Sequence, residues 1–256
     1  MTYSEKFTDG QPCWMDISTP DSAKRIALAE FLTALFGWKF EVGGPESGNY
    51  STAFSNGRDV AGLMEMPGIP SYWTTYLHTG DIRSSTDAFV SHGGKVLTRP
   101  MQIFEMGHMA VCQDAVGAVV GLWQPIKFEG FGSHDEENSP TWFDQQSEDP
   151  KLAAACYRDV FGLSVASTPG SDDATLGSPE QKWFSVSHQP DAMPPSWNPV
   201  IQVDSLSRVT DDVSRLGGEI LMNDMAVPGG KILVFNDPIV HAPLICFEVA
   251  STSNAT

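Results

Sequence analysis

Residues 12–21 read PCWMDISTPD, and residues 140–149 read PTWFDQQSED. A proline, a tryptophan and two aspartates recur at the same four places, each 128 positions later in the chain. Four matches in ten positions at one separation indicate an internal repeat. A repeat of this length indicates two copies of a domain, because the units of solenoid proteins are only about 20–50 residues long.

The repeat continues towards the end of each copy. Trp197 follows Trp73 by 124 positions, and Gly93-Gly94 returns at 217–218. The separation falls along the chain because loops tolerate gained and lost residues. The sequence therefore predicts a first domain over residues 10–125, an exposed linker rich in Gly, Ser and acids over 126–139, and a second domain over 140–251.

Composition disfavours several classes of partner. The net charge is −17, from 32 acidic and 15 basic residues, which disfavours nucleic acid and anionic membrane surfaces. No run of 18 apolar residues is present, so we expect no membrane-spanning helix. The four cysteines form no C-x-x-C pair, which argues against a disulfide frame or a structural zinc site. The first ten residues are polar and carry no secretory signal, so we expect a cytoplasmic protein.

Each copy begins with a strand that leads into a helix. In the first copy, Thr19 suits the N-cap position, Pro20 suits the first turn, and Gly37 suits the left-handed residue that ends a helix. Apolar residues spaced three and four positions apart predict the buried face of this helix. Its members are Leu28, Phe31, Leu32 and Leu35.

The matching helix of the second copy is predicted between Asp149-Pro150 and Gly162. Its predicted buried face consists of Leu152, Cys156 and Val160. The interval between start and stop signals is shorter than in the first copy, so the first helix is expected to be nearly one turn longer.

Three short strands follow each of these helices, with Asn56-Gly57 as a strong hairpin signal. The order then restarts with a strand at 72–79 and a helix at 81–92, for which Ile82, Phe89 and Val90 are the expected apolar contacts. Three more strands complete the copy. Each copy thus contains two βαβββ units, which are expected to pair into a cup with the helices outside.

Several of these segments resemble the vicinal oxygen chelate superfamily, which contains glyoxalase I, bleomycin-resistance proteins and extradiol dioxygenases. The resemblance is to its tandem two-domain bacterial members and covers nearly the whole chain. It implies an α+β fold of two tandem glyoxalase-like domains, each with two paired βαβββ units forming a cup-shaped sheet; it does not imply one function. The segments that carry it are PCW at 12–14, LFGW at 35–38, WTTY at 73–76, GLWQ at 121–124 and VFGL at 160–163.

The resemblance also implies where a metal would bind. Metal-using members place a His or Gln on the first strand, a His at the start of the next unit and a Glu on the last strand. The first copy has Trp14, Thr74 and Gly121 at these positions, and the second has Trp142, Asn198 and Leu244. An indole only donates an N–H, and Gly and Leu offer no ligand atom. Glu65 and His188 lie near the less certain fourth position, so we expect no metal cofactor and keep a divalent metal as the alternative.

Alternate residues of a strand share a face, so the same comparison predicts the residues that line each cup. A cup of this kind suits a flat apolar ligand with one or two polar anchors. His108 is expected at the rim of the first cup, with Lys231 in its place in the second. The first cup is expected to contain Trp14, Asp16, Thr74, Tyr76, His78, Val119, Gly121 and Trp123, and the second Trp142, Asp144, Asn198, Val200, Gln202, Leu244 and Cys246.

Each of these residues also has a structural interpretation. A strand tryptophan is more often a core residue than a ligand-binding residue. Asp16 and Asp144 lie among apolar neighbours and each needs a partner, either a structural hydrogen bond or a ligand or acid–base role. His78 lies at a strand end and is either a surface side chain or a catalytic one.

The favoured hypothesis is metal-independent binding of a small apolar or aromatic molecule, for sequestration or resistance. Its ligand-binding residues would be Trp14, Thr74, Trp123, Trp142, Asp144 and Asn198. The alternative is a lyase, isomerase or hydroxylase-type enzyme with Asp16 and either Tyr76 or His78 as acid and base, or with a divalent metal. A third is a protein that holds the substrate or product of another enzyme. The two copies in one chain can pair with each other, so the chain does not need to dimerise for this purpose. Either a monomer or a homodimer is expected.

Overall fold

A computed structural model describes residues 7–189 and 193–250. Residues 1–6 of the polar N-terminus and residue 251, the predicted end of the second domain, lie outside this range. In the described part of the chain, no helix is long and apolar enough to cross a membrane.

The first half of the described chain contains eight strands and two α-helices. They are β1 (Pro12–Thr19), α1 (Ser22–Phe36), β2 (Lys39–Val42), β3 (Ser51–Ser55), β4 (Arg58–Glu65), β5 (Trp73–His78), α2 (Ile82–Ser91), β6 (Lys95–Ile103), β7 (Gly107–Gln113) and β8 (Val119–Pro125). A short 3-10 helix, Pro45–Ser47, lies between β2 and β3.

The second half repeats this order. Its elements are β9 (Pro140–Ser147), α3 (Pro150–Phe161), β10 (Ser164–Ser167), β11 (Ala174–Gly177), β12 (Lys182–His188), β13 (Ser196–Val203), α4 (Leu206–Arg215), β14 (Glu219–Val227), β15 (Gly230–Asn236) and β16 (Pro243–Val249).

Two eight-stranded mixed sheets have the same internal order. The first runs β2-β3-β4-β1-β5-β8-β7-β6, and the second runs β10-β11-β12-β9-β13-β16-β15-β14. In each βαβββ unit the first strand is parallel to the last, as in β1 with β4 and β5 with β8. The predicted α+β fold with two βαβββ units per half is confirmed.

The described residues also fall into two compact units. Of the described residues, the first unit contains 7–15, 74–131, 142–189 and 193–198, and the second contains 16–73, 132–141 and 199–250. Helices α2 and α3 pack together within the first unit, and α1 and α4 within the second. The sheets follow the two halves of the sequence, whereas each unit contains segments of both halves.

Helix α1 buries the predicted stripe and begins two residues later than predicted. All four stripe residues are buried, and Gly37 has the left-handed φ of 71°. The N-cap is Asp21, whose carboxylate accepts the Lys24 N–H at 2.8 Å. Thr19 instead belongs to β1 and donates its hydroxyl to the Met64 carbonyl at 3.1 Å, so it is not free to cap the helix.

Helix α3 has the predicted ends but not the predicted face. Asp149 caps it through the Leu152 N–H at 2.9 Å, and Gly162 has φ 70°. The buried residues include Cys156 and Tyr157, whereas Leu152 is 45% exposed. A spacing of four residues advances about 400° around a helix, so a row built on that spacing drifts off the buried face. Val90 on α2 is likewise 54% exposed, because it follows the buried Phe89 by one position.

The segment predicted as an exposed linker is partly buried. Phe131, Ser133 and Ser139 are all buried. Residues 126–131, here called the closing segment, form main-chain hydrogen bonds to the rest of the first half at both of their ends. The N–H groups of residues 126–128 point to the Met106 carbonyl at 2.9–3.1 Å, and the Phe131 N–H donates to the Cys13 carbonyl at 2.8 Å. The linker was predicted to be exposed because most of its residues are polar, but Phe128 and Phe131 pack against Trp14 of the first sheet.

Candidate functional site

The closing segment covers the cup face of the first sheet around two tryptophans. The Phe128 ring lies edge-on to Trp14, with ring centroids 4.8 Å apart, and 6.0 Å from Trp123. The Trp123 indole N–H donates to the Phe128 carbonyl at 2.8 Å. Phe131 lies 5.5 Å from Trp14 and stacks on Phe143. Trp14 and Trp123 are only 6% and 8% exposed, so side chains of the same chain fill this part of the predicted cup.

Glycines allow the aromatic rings to lie close to the strands of the first sheet. Tyr76 pairs with Gly121 across β5 and β8, and a Cβ at Gly121 would overlap the Tyr76 ring. A Cβ at Gly107 would likewise overlap the Trp123 ring. A glycine inside a strand often marks such a close approach. Thr74, predicted as a ligand-binding residue, is buried on β5.

Asp16 lies in a structural arrangement that the sequence did not indicate. It is 3% exposed and pairs with Gly62 of β4. The Tyr50 ring passes over Gly62, where a Cβ would overlap the phenol, and its hydroxyl donates to Asp16 Oδ2 at 3.4 Å. Burial, together with the Asp16 charge, raises the pKa of the nearby Tyr72.

His78 and His108 lie in different surroundings from those expected. The His78 Nδ1 is 3.0 Å from an Asp9 carboxylate oxygen, which also accepts the Gly80 N–H at 2.7 Å. His78 therefore fastens the chain before β1 to the end of β5. His108 pairs with Gln124 and so lies on the face opposite Trp123. It is on the helix side of the sheet, and the prediction that it rims the cup was wrong.

The second sheet carries a polar network on the corresponding face of β9 and β12. Asp144 accepts hydrogen bonds from the Ser185 hydroxyl at 2.5 Å, the Ser187 hydroxyl at 2.8 Å and the Gln146 amide at 2.8 Å. The Trp142 indole N–H donates to the Ser185 hydroxyl at 3.0 Å. We call these five residues the Asp144 network. Trp142, Asp144 and Gln146 are all half-buried, so the network meets solvent.

Burial raises the pKa of the Asp144 carboxyl, and the charge of Asp173 raises it further. The hydrogen bonds from Ser185, Gln146 and Ser187 act in the opposite direction. In the strand register, Ser185 stands where the first half has Gly62, because each lies opposite its aspartate. The second half thus supplies hydroxyl donors from the adjacent strand where the first half uses Tyr50.

The other predicted residues of the second cup divide between the two faces of the sheet. Asn198 is buried and its amide donates to the Ser196 hydroxyl at 3.2 Å. Val200 pairs with Ile245 across β13 and β16, and this register puts Leu244 and Cys246 on the opposite face. Placing Leu244 and Cys246 in the cup was therefore wrong by one residue, and a shift of one residue reverses the face. Ile245 occupies the last-strand position and offers no ligand atom.

The side chains at the expected ligand positions of the two cups do not form a ligand set for the divalent metal that metal-using members of the superfamily bind. Glu65 pairs with Thr19, on the face opposite Asp16, and its carboxylate binds the Arg25 guanidinium at 2.8 Å. His188 lies opposite Ser147, again on the face away from Asp144. Within residues 7–189 and 193–250, no group of three or more His, Cys, Asp or Glu side chains is placed to hold a metal. Glu65 and His188 therefore cannot complete a ligand set inside either cup.

The thiols also lack the character of ligands or nucleophiles. All four cysteines are free and buried. Burial raises the pKa of each thiol, to about 12 for Cys112 and about 11 for Cys156. A thiol with a raised pKa holds its proton at neutral pH and is a poor nucleophile.

Comparison with known proteins finds relatives that are similar over nearly the whole sequence. No family model matches the chain. The candidate glyoxylase CFP32 of Mycobacterium bovis is 29% identical over 250 residues, with 93% of this chain and 95% of that protein covered. The anthracycline biosynthesis protein DauV of a Streptomyces species is 28% identical over 260 residues, covering 91% of each chain.

Solved structures show the same fold at low sequence identity. The Mn(II)-bound glyoxalase of Novosphingobium aromaticivorans has a TM-score of 0.67 at 13% identity, covering 94% of this chain and 82% of that one. Homoprotocatechuate 2,3-dioxygenase of Arthrobacter globiformis also has a TM-score of 0.67 at 13% identity, covering 97% and 83%. Together with the repeated βαβββ units and the two sheets of equal strand order, these similarities show that the chain has the two-domain fold of glyoxalases and extradiol dioxygenases of the vicinal oxygen chelate superfamily.

Proposed function

We propose that this protein binds a small, largely apolar or aromatic molecule at the Asp144 network of the second sheet, without a divalent metal. Sequestration of that molecule, as in resistance to a toxic compound, is the role that we favour. The proposal depends on one observation above all: a partly exposed indole, Trp142, is held by a hydrogen bond beside a carboxylate that several donors keep in position.

The chemistry of the network suits an aromatic ligand with a polar group. The Trp142 indole offers an apolar surface whose orientation is fixed through Ser185, which reduces the entropy lost on binding. Asp144 has four acceptor positions and uses three for internal hydrogen bonds, so one is left for a ligand donor. A hydroxyl or amine on an aromatic ring would meet both requirements.

The corresponding region of the first sheet is a weaker candidate. Trp14 and Trp123 are in contact with Phe128 of the closing segment, and both are nearly inaccessible. Binding there would require the closing segment to leave, with loss of its hydrogen bonds to Met106 and Cys13. The proposal therefore has one ligand per chain.

The names of the relatives support the class of ligand. DauV is an anthracycline biosynthesis protein, and anthracyclines are aromatic compounds. CFP32 is named as a glyoxylase and leaves the enzymatic alternative open. The absence of a fitting donor set at Trp142, Asn198 and Ile245 supports metal independence, because an indole and an alkyl group do not bind cations.

A calorimetric titration with 2-naphthol and 2-naphthylamine as probes tests the proposal. We expect saturable binding of about one equivalent, lost in Trp142→Ala and about tenfold weaker in Asp144→Asn, which corresponds to about 1.4 kcal/mol. Phe104→Ala, which removes an exposed ring elsewhere, should bind as the wild type does. If the Trp142→Ala variant binds the probes as tightly as the wild type, the proposed site is wrong.

Elemental analysis of protein purified without chelator or affinity tag tests metal independence separately. We expect less than about a tenth of an equivalent of any transition metal, and no thermal shift on addition of Mn, Fe, Ni or Zn. Near one equivalent of a single metal would contradict this part of the proposal.

The enzymatic alternative has one observation in its favour, the nearly complete burial of Asp16. Its proposed partner His78 is already bound to Asp9, which leaves Tyr76 as the candidate to test first. If Asp16 is an acid or base, Asp16→Asn should abolish turnover of a bound substrate while ligand binding is retained. Unchanged binding and turnover would confine Asp16 to its structural contact with Tyr50.

A further inference from the structure

A cleft of about 410 Å³ lies at the start of helix α2, on the helix side of the first sheet. Its volume is within the range of small-molecule sites. It lies on the face of the sheet opposite Trp123 and is separate from the Asp144 network. The residues that line it include Asp81, Ile82, Arg83, Pro100, His108 and Gln124.

The main-chain donors at the start of α2 are already used. The Asp81 carboxylate accepts the N–H groups of Arg83 at 3.0 Å and Ser84 at 3.1 Å. The Gln124 side-chain oxygen accepts the Ile82 N–H at 3.1 Å. The hydrogen bonds to Asp81, together with the nearby positive charge of Arg83, lower the pKa of the Asp81 carboxyl. Recognition in this cleft therefore depends on side chains.

Two side chains in the cleft have unused capacity to donate. His108 Nδ1 is buried and has no hydrogen-bond partner among the residues that the structure describes. A buried ring nitrogen without a partner is costly, and most such atoms in folded proteins are bonded to protein or ligand. The Arg83 guanidinium lines the same cleft and forms no ion pair in the described part of the chain.

The second half carries different chemistry at the equivalent place. In the repeat, Arg83 corresponds to Ser207, and His108 corresponds to Lys231. Gln124 corresponds to Glu248, whose carboxylate accepts the Leu206 N–H at 2.6 Å. Lys231 is paired with Asp224 at 2.8 Å. The cation of the second half is thus paired directly, whereas Arg83 forms no direct ion pair among the described residues and acts on the Asp81 carboxylate only through its nearby charge.

We propose that this cleft is a binding site for a small organic carboxylate, with Arg83 and His108 as its donors. A guanidinium binds a carboxylate through two parallel N–H bonds, which gives both charge and orientation. His108 Nδ1–H would donate to the same ligand from the floor of the cleft. The apolar parts of Ile82 and Pro100 would contact the organic part of the ligand.

A titration with benzoate, followed by NMR of the histidine ring signals, tests this site. We expect saturable shifts of the His108 ring, and binding at least tenfold weaker in Arg83→Gln. Lys95→Gln, which removes an exposed positive charge outside the cleft, should bind benzoate like the wild type. Benzyl alcohol, a neutral analogue of similar shape, should not saturate the site.

Three results would overturn the proposal. The His108 ring could remain unshifted at benzoate concentrations that saturate any other site. Arg83→Gln could bind benzoate as tightly as the wild type while its circular dichroism is unchanged. Benzyl alcohol could compete equally well, which would show that charge plays no part. None of these results depends on ligand binding at the Asp144 network.

Discussion

Asp16 and Asp144 occupy the same strand position in the two repeats and have different donors. Asp16 receives the Tyr50 hydroxyl across Gly62, whereas Asp144 receives two serine hydroxyls and a glutamine amide. The sequence indicated correctly that each aspartate needs a partner. It did not indicate which, because Ser185 and Ser187 lie more than 40 positions away from Asp144.

The raised pKa of Asp144 predicts how its contribution to stability depends on pH. Burial raises the pKa above the value of about 3.9 in an unfolded chain, so the folded state binds the proton more tightly. The stabilising contribution is therefore complete below about pH 4 and is lost as the pH rises through the folded-state pKa. Asp144→Asn removes this dependence.

We expect the Tm of Asp144→Asn, minus that of the wild type, to increase between about pH 4 and pH 7. Differential scanning calorimetry at several pH values measures it. Asp59 and Asp114, whose pKa values burial also raises, are present in both proteins and cancel in the difference. A constant difference across the range would mean that Asp144 titrates alike in the folded and unfolded states.

Tyr157 offers a second test at a single residue. Its buried hydroxyl donates to Asp114 Oδ2 at 2.6 Å and accepts the Trp197 indole N–H at 2.9 Å. Tyr157→Phe leaves two buried groups without a partner and should reduce the free energy of unfolding by roughly 2–4 kcal/mol. Urea denaturation gives this value. Tyr72→Phe, at a half-buried tyrosine, should change it by less than about 0.5 kcal/mol.

At the scale of elements, the repeat made the fold predictable. The caps, the left-handed glycines and the Asn56-Gly57 turn are local signals, and all lie where the sequence indicated except the Thr19 cap. The β16 register was not local. Its face depends on pairing with β13, and the comparison of the two copies placed Leu244 rather than Ile245 in the cup, an error of one residue.

The closing segment could not be predicted from composition. It begins a predicted linker, residues 126–139, that is rich in Gly, Ser and acidic residues as an exposed linker would be. Its role depends on Phe128 and Phe131, whose contacts with Trp14 exist only once β1 and β8 are in place. The three apolar residues of the segment, Ile126, Phe128 and Phe131, were the available signal.

The close contact between strands β5 and β8 at Gly121 can be tested by substitution. A Cβ there would overlap the buried Tyr76 ring, so Gly121→Ala should reduce the free energy of unfolding by about 1–3 kcal/mol. Gly80→Ala is the matched control, because the nearest atoms to a Cβ at Gly80 are 3.7 Å away. We expect its effect to stay within about 0.5 kcal/mol in chemical denaturation. Equal effects would show that the ring moves aside.

At the scale of the whole molecule, the net charge of −17 dominates the electrostatics. Repulsion between like charges destabilises the compact state, and salt screens it over about 10 Å at 0.1 M. We expect the Tm to rise when NaCl is increased from about 10 mM to 300 mM. KCl should act alike, because screening does not distinguish the two cations. A falling Tm would mean that the surface ion pairs outweigh the repulsion.

The closing segment also has an evolutionary consequence. A duplication gives two copies of one fold, and here only one copy keeps an accessible tryptophan beside its aspartate. Under the proposed function, selection on Trp14 and Trp123 concerns packing, whereas selection on Trp142 concerns ligand recognition as well. If the proposed ligand binds there, substitutions in the second copy would change ligand preference, while the packed first copy would maintain the stability of the chain.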